Sequence, residues 1–208
     1  MGVDISGPML EVAEQRAHSL RQVQFARADA QTQDLGAGAY DGVISQFGVM
    51  FFADPGIAFA NLQRALVDGG RLAFTCWQEL GLQERIMVPV TAALEYVPLP
   101  DFDETSWSHA AFSLSEPGQI RALLEAAGFD EISVDEMVFP EYQGEDVADV
   151  VAFMQRTELG QILFSRADAT QATQGWDAVT KALSAYATTD GVHLDGAAWL
   201  VQARKATP

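Results

Sequence analysis

Short apolar runs that end in an acidic or polar residue and lead straight into a helix start recur along this chain. That alternation constrains the fold more than any other feature. Its first instance is Gly2-Val3-Asp4-Ile5-Ser6-Gly7-Pro8-Met9-Leu10. The run reads as the end of a buried strand with Asp4 at its C-terminal tip. Ser6 follows as N-cap and Pro8 as a first-turn residue, with Met9, Val12, Ala13 and Leu20 on one apolar face. A carboxylate at a strand tip of an α/β sheet points into the crevice where ligands bind, and it suits a ribose diol. A nucleotide-type site sets a glycine-rich turn about 20 residues ahead of such an acid. Here only three residues precede Asp4.

The pattern continues in order. The first helix is expected to end near His18 to Leu20, and Val23 to Ala28 to form a strand ending in Asp29-Ala30. Gly36-Ala37-Gly38 lies in a connector, since no strand runs into it and no helix follows. Tyr40 to Phe47 reads as the third strand. Asp54-Pro55 opens a helix whose buried stripe is Ile57, Leu62, Ala65 and Leu66, with Gly69-Gly70 as its stop, and Arg71 to Trp77 is a further strand. Strands and helices alternating at these spacings give βαβ units and a parallel sheet.

Residues 79–113 break the rhythm. Ile86 to Tyr96 reads as helical despite Pro89, and an irregular acidic stretch then carries Trp107, His109 and Phe112. An insertion beyond a strand's C-terminal end is placed to act as a lid. Alternation resumes with a helix at 115–127 stopped by Gly128, a strand at 132–139, helices marked by Val147 to Met154 and Trp176 to Tyr186, and a last strand at 197–203. No repeat or linker divides the chain, so a single domain over 1–208 is expected.

Composition removes several function classes. The net charge of −17 and the two lysines, Lys181 and Lys205, argue against a nucleic-acid groove. One cysteine, Cys76, excludes an internal disulfide and a cysteine-based zinc site, and its apolar strand suggests a structural thiol. No run has the length of a membrane span, and the N-terminal residues lack the pattern of a signal peptide, so the cytoplasm is the expected compartment. No metal site is expected.

Four segments in order, Gly2-Val3-Asp4-Ile5-Ser6, Ala28-Asp29-Ala30, Tyr40 to Gly48 and Arg64 to Leu72, resemble class I S-adenosylmethionine-dependent methyltransferases. The branch is that of the ubiquinone/menaquinone-biosynthesis enzymes and their small-molecule relatives. The resemblance is strong over residues 2–77 and weaker beyond. It implies a Rossmann-like, doubly wound, mostly parallel α/β sheet with an antiparallel C-terminal strand, and S-adenosyl-L-methionine as cofactor. By resemblance, Asp4 accepts from the ribose hydroxyls, Ile5 and Met9 pack on adenine, and Asp29 takes the adenine amino group beside Ala30. Ser45, Gln46 and Phe47 face the methionine end. Capping explains Asp4 and Asp29 as well, and core packing explains Met9 and Phe47 as well.

The acceptor implied is a small molecule, and no catalytic residue is assigned. His109 is the one base candidate, His18 suits a helix C-terminus without further function, and His193 falls in the turn before the last strand. The family's first strand and its glycine-rich turn have no counterpart ahead of Asp4. The reading is therefore a chain truncated at its N-terminus, with its activity impaired. Such a chain closes the gap between the strands ending at Asp4 and Phe47, leaves backbone groups unpaired, or takes a strand from a second copy as a homodimer. The alternatives are a non-catalytic remnant or partner-completed subunit and, less favoured, a nicotinamide-dependent oxidoreductase, for which no Tyr-x-x-x-Lys pair is present.

Overall fold

Strand β1 (Gly2–Asp4) pairs in parallel with β2 (Phe25–Arg27), Asp4 standing opposite Arg27. Helix α1 (Gly7–Arg16) connects them, and Ser6 caps it by accepting from the Met9 N–H at 3.4 Å. The helix stops at Arg16, short of the expected His18 to Leu20, and β2 is narrower than Val23 to Ala28. The expected inward face of α1 is not inward. No residue of the helix is buried, and Met9 is 64% exposed. The apolar spacing is present in the sequence, but no described element covers that side.

Strand β3 (Tyr40–Gln46) pairs in parallel with β4 (Leu66–Trp77), from Gly42 opposite Arg71 to Gln46 opposite Thr75. Helix α2 (Pro55–Ala65) joins them. Its N-cap Asp54 accepts from the Ile57 N–H at 3.0 Å, and Pro55 follows, as the sequence predicts. Its buried residues are Ala58, Phe59, Leu62 and Ala65, while Ile57 is 54% exposed, so the helix is rotated from the expected stripe. Gly69 and Gly70 do not end this helix. They lie inside β4, where Gly69 has φ +72° and the register shifts between Tyr40 and Gly42. The pair lets the strand bulge as it leaves the helix, a conformation a side chain would oppose.

The structure is a computed structural model that describes residues 1–100 and 110–207. Two sheets are formed among them: β1-β2 alone, and the order β3-β4-β7-β5, with β5 (Phe129–Gly144), β7 (Gly191–Lys205) and the short β6 (Ala187–Thr188) antiparallel on β7. The mostly parallel α/β sheet with an antiparallel C-terminal strand is thus present. Both final strands are longer than the sequence suggests, because residues flanking the apolar stretches also pair. The chain divides into two units, the first formed by Met1–Thr75, Pro117–Asp135 and Leu200–Pro208, the second by Cys76–Glu116 and Glu136–Trp199.

In the first unit, Phe59 of α2 is fully buried, stacked on Phe74 of β4 at 5.5 Å and edge-on to Phe52 at 6.4 Å. Helix α4 (Pro117–Ala126) buries Ile120 and Leu124, and Gly128 turns the chain at φ +89° before β5.

In the second unit, helices α3 (Glu84–Ala93), α5 (Val147–Met154), α6 (Glu158–Leu163) and α7 (Ala169–Leu183) gather around Val179, Leu183, Val192 and Leu194. Phe164 and Trp176 stack at 4.1 Å. Gln83, fully buried, donates to the Ala197 carbonyl at 2.8 Å and accepts from the Ala197 N–H at 3.3 Å, tying the start of α3 to β7. The expected lid segment therefore supplies α3. Its acidic stretch, with Trp107 and His109, lies outside the described residues.

Cys76 is fully buried, and its thiol donates to the Leu114 carbonyl at 3.4 Å. Burial pushes the thiol from its ordinary 9.0 up to about 12. Iodoacetamide at pH 8 is expected to leave Cys76 unmodified until the chain is unfolded; rapid labelling of the folded chain by mass spectrometry would contradict this. The sign of the pH dependence follows. The native state keeps a proton that the unfolded thiol releases near 9, so the contribution is full below pH 9 and is lost as pH rises toward 12.

Candidate functional site

The strand-tip residues expected to bind cofactor all lie in the first unit. Asp4 is the last residue of β1, and its Oδ1 accepts from the Ser6 N–H at 2.7 Å, so the carboxylate braces the turn into α1. Its Oδ2 bonds no described residue. Ile5, next in the chain, is 67% exposed, and Met9 lies one turn into α1. An open carboxylate oxygen beside exposed apolar side chains is a surface that fits a ribose with an attached base.

Asp29 follows β2. Its Oδ1 accepts from the Gln31 N–H at 2.9 Å and its Oδ2 from the Thr32 hydroxyl at 3.3 Å, so the capping reading of this residue is occupied. The Ala30 carbonyl accepts from Asn61 Nδ2 at 2.8 Å, and Gln31 Oε1 accepts from the Asp54 N–H at 2.9 Å. These bonds hold the loop after β2 against α2, so the loops that follow β2 and β3 are joined.

Ser45 and Gln46 close β3, and Phe47 follows with φ +51°. A non-glycine residue in the left-handed region is strained by about 1–2 kcal/mol, and such strain gathers at ligand sites. The Phe47 N–H donates to the Thr75 carbonyl at 3.0 Å, which pins the tip of β3 to β4. At Gly48 a Cβ would stand 2.9 Å from Ser45 Oγ, so a side chain there would require the Ser45 hydroxyl to turn away. Thr75 Oγ1 is buried without a hydrogen-bond partner, one strand away from these residues. An orphaned hydroxyl there fits a polar group arriving at the β3 tip. Sequence reasoning missed Thr75, since a threonine inside an apolar strand gives no signal of its own.

The remaining residues divide plainly. His18 Nδ1 meets the Gln15 carbonyl at 2.8 Å in a local helix-end contact. His193 lies within β7 and packs edge-on to Tyr142 at 5.6 Å, so it is a strand residue and not part of a turn. His109 lies outside the described residues. Among the described residues no cluster of metal-ligating side chains occurs, and no helix is long and apolar enough to cross a membrane.

The pairing edges of the two sheets matter to the site. Among the described residues β1 pairs only with β2, and β3 only with β4. Ile44 on β3 is 87% exposed. Tyr40 Oη, at the start of β3, donates to Met1 Sδ at 3.9 Å.

Strand-tip acids on parallel strand pairs, each pair joined by a capped helix, define a Rossmann-like ligand-binding fold. Comparison with known proteins agrees. The family described as "Methyltransferase domain" matches residues 1–74. A demethylmenaquinone methyltransferase of Thermus thermophilus is 40% identical over 73 residues, covering 35% of this chain and 33% of the relative. A malonyl-[acyl-carrier protein] O-methyltransferase of Geobacter sulfurreducens is 31% identical over 153 residues, covering 74% of this chain and 53% of the relative. Among solved structures, the phosphoethanolamine N-methyltransferase 2 of Haemonchus contortus, in complex with S-adenosylhomocysteine, superimposes with a TM-score of 0.53 at 21% identity. That match covers 99% of this chain and 43% of the other.

Residues 1–74 thus match a methyltransferase domain, and the chain is similar to the methyltransferases named above. It spans about a third of the first curated relative and about half of the second.

Proposed function

We propose that this chain serves S-adenosylmethionine-dependent methyl transfer to a small-molecule acceptor, with the strand tips of the first unit holding the cofactor. The observation that carries the reading is the open carboxylate edge of Asp4 at the tip of β1, within the segment that matches the methyltransferase domain. When bound, the cofactor supplies an electrophilic methyl group on a sulfonium. Asp4 accepts from the ribose hydroxyls, while Ile5 and Met9 cover one face of the adenine. Asp29 keeps its turn closed and uses its remaining lone pairs for the adenine amino group, beside the Ala30 backbone. Ser45, Gln46 and Phe47, with the Thr75 hydroxyl, meet the methionine part. Alignment of donor and acceptor then supplies much of the rate, with no base assigned among the described residues. Both units act as parts of one methyltransferase-like domain.

The relatives supply the acceptor class only in outline. Their names state demethylmenaquinone and a malonyl group on a carrier protein. Small-molecule acceptors of that kind suit a chain without a basic surface.

One observation favours a partner-completed form of this reading. The free edges of β1 and β3 and the exposed Ile44, Ile5 and Met9 present pairing groups and apolar surface together. A second copy of the chain, contributing one strand, covers them, and the isolated chain is the impaired form. Light scattering and calorimetry with S-adenosylhomocysteine test both statements. Micromolar binding by a dimer is expected, whereas micromolar binding by a monomer defeats the completion by a second copy. If no oligomeric form binds, the cofactor reading itself fails. Ile44→Lys is expected to leave the melting temperature of the monomer nearly unchanged and to abolish the dimer, because a charge on an edge strand opposes pairing. Persistence of the dimer in that variant would place the interface elsewhere.

A further inference from the structure

The second unit holds a cavity of about 320 Å³, at the lower end of the size range of small-molecule pockets. Its wall is mainly apolar, from Ile86, Val150, Phe153, Met154 and Leu194, with Arg85 as its cation. Arg85 is held from two sides. Its guanidinium lies over the Trp77 ring at 4.9 Å, and Trp77 in turn stacks on Phe139 at 6.2 Å. Its Nε stands 3.4 Å from Glu141 Oε2.

That arrangement leaves the guanidinium half used. Arg85 Nε and Glu141 Oε1 are buried without a hydrogen bond of proper geometry, and the two terminal nitrogens of Arg85 bond no described residue. Three-quarters of the side chain is nevertheless out of water, so its charge is poorly solvated. Burial lowers the arginine from its ordinary value while Glu141 counters it, and burial raises Glu141 against the pull of Arg85. The Glu141 carboxylate packs close against Gly196, in the space a side chain there would fill. One edge of the fork faces Glu141, and Arg85 lines the apolar cavity.

The other polar groups of the wall do not compete for that edge. Thr157 Oγ1 donates to the Met154 carbonyl at 2.8 Å and accepts from the Gly160 N–H at 3.2 Å. Gln143 Nε2 donates to the Glu141 carbonyl at 3.2 Å. Glu158 sits on the exposed rim in the first turn of α6, where water screens its charge and the helix N-terminus favours it.

We propose that this cavity takes a small apolar molecule bearing a carboxylate, which the terminal nitrogens of Arg85 grip in a two-point contact. The binding does not depend on the methyltransferase reading above. The apolar wall supplies affinity for the body of the molecule, and the planar fork selects the carboxylate over neutral analogues.

Ligand-observed NMR titration of the full chain, without cofactor, tests the proposal. The probes are cinnamate and octanoate, each paired with its amide, cinnamamide and octanamide. Each acid is expected to bind about tenfold or more tightly than its amide, as suits charge-assisted hydrogen bonds in a half-buried site. In Arg85→Gln the acid and the amide become equal. Amides that bind as well as acids, no binding by either acid, or an acid preference retained in Arg85→Gln would each overturn it. Should Arg85→Gln fail to fold, the comparison on the unaltered chain decides alone. Parallel calorimetry with S-adenosylhomocysteine separates the two readings. Cofactor binding without acid preference sinks only this inference, and acid preference without cofactor binding leaves the site standing while the methyltransferase reading falls.

Discussion

Asp4→Ala is expected to weaken S-adenosylhomocysteine binding about a hundredfold, or about 3 kcal/mol, since it removes two charge-assisted hydrogen bonds to the ribose. Calorimetry on the oligomeric form that binds is the measurement. The folded chain loses only the 2.7 Å bond from the Ser6 N–H, a turn contact worth about 1 kcal/mol, so binding and stability separate. Asp29→Ala should behave in the opposite proportion. Its carboxylate closes the turn through Gln31 and Thr32, and losing it disorders the loop before any effect on the ligand. A variant of Asp4 that binds like the parent would remove the residue on which the cofactor reading stands.

Phe59→Ala is expected to cost about 3–5 kcal/mol, the range for emptying a fully buried aromatic position. Its ring touches both Phe52 and Phe74, so the cavity cannot close by a shift of one neighbour. Urea denaturation gives the comparison, with Ile57→Ala as control. Ile57 is more than half exposed, and its truncation should stay within about 0.5 kcal/mol. Equal costs at the two positions would mean that α2 presents its other face to the core.

That pair of positions also marks the limit of what was legible in the residues. Asp54 and Pro55 announce the start of α2, because capping chemistry is local and one residue suffices to state it. The rotation of the helix is not local. It depends on Phe74 across the unit, and spacing alone could not choose Phe59 over Ile57. The same distinction explains Gly69-Gly70, which reads as a helix stop yet forms a bulge, since its role is set by the pairing of the flanking Leu66 with Tyr40 and Arg71 with Gly42.

The candidate site shows the same division. Strand tips carrying Asp4, Asp29 and Ser45 to Phe47 were readable from alternation and resemblance, and the structure places them at the ends of β1, β2 and β3. The roles written for them remain proposals. Arg85 and Glu141 gave no signal, being a lone cation in a helix and one of five acids in a strand. They acquire meaning only when folding sets them 3.4 Å apart beside a cavity. The helix α1 stripe was legible as a pattern, but a pattern names a face without saying what will cover it.

The isolation of the β1-β2 pair has a consequence for order. A two-stranded sheet is at best marginally stable alone, and here its connecting helix buries no residue. Residues 1–28 therefore form the segment with the lowest cost of local opening in the first unit, and their amides exchange with solvent ahead of those in α2 and β4. A ligand gripped by Asp4 must hold this segment shut, so part of its intrinsic affinity is spent on folding its own binding site. Whatever closes the free edge of β1 in advance removes that expense and tightens the ligand without touching it.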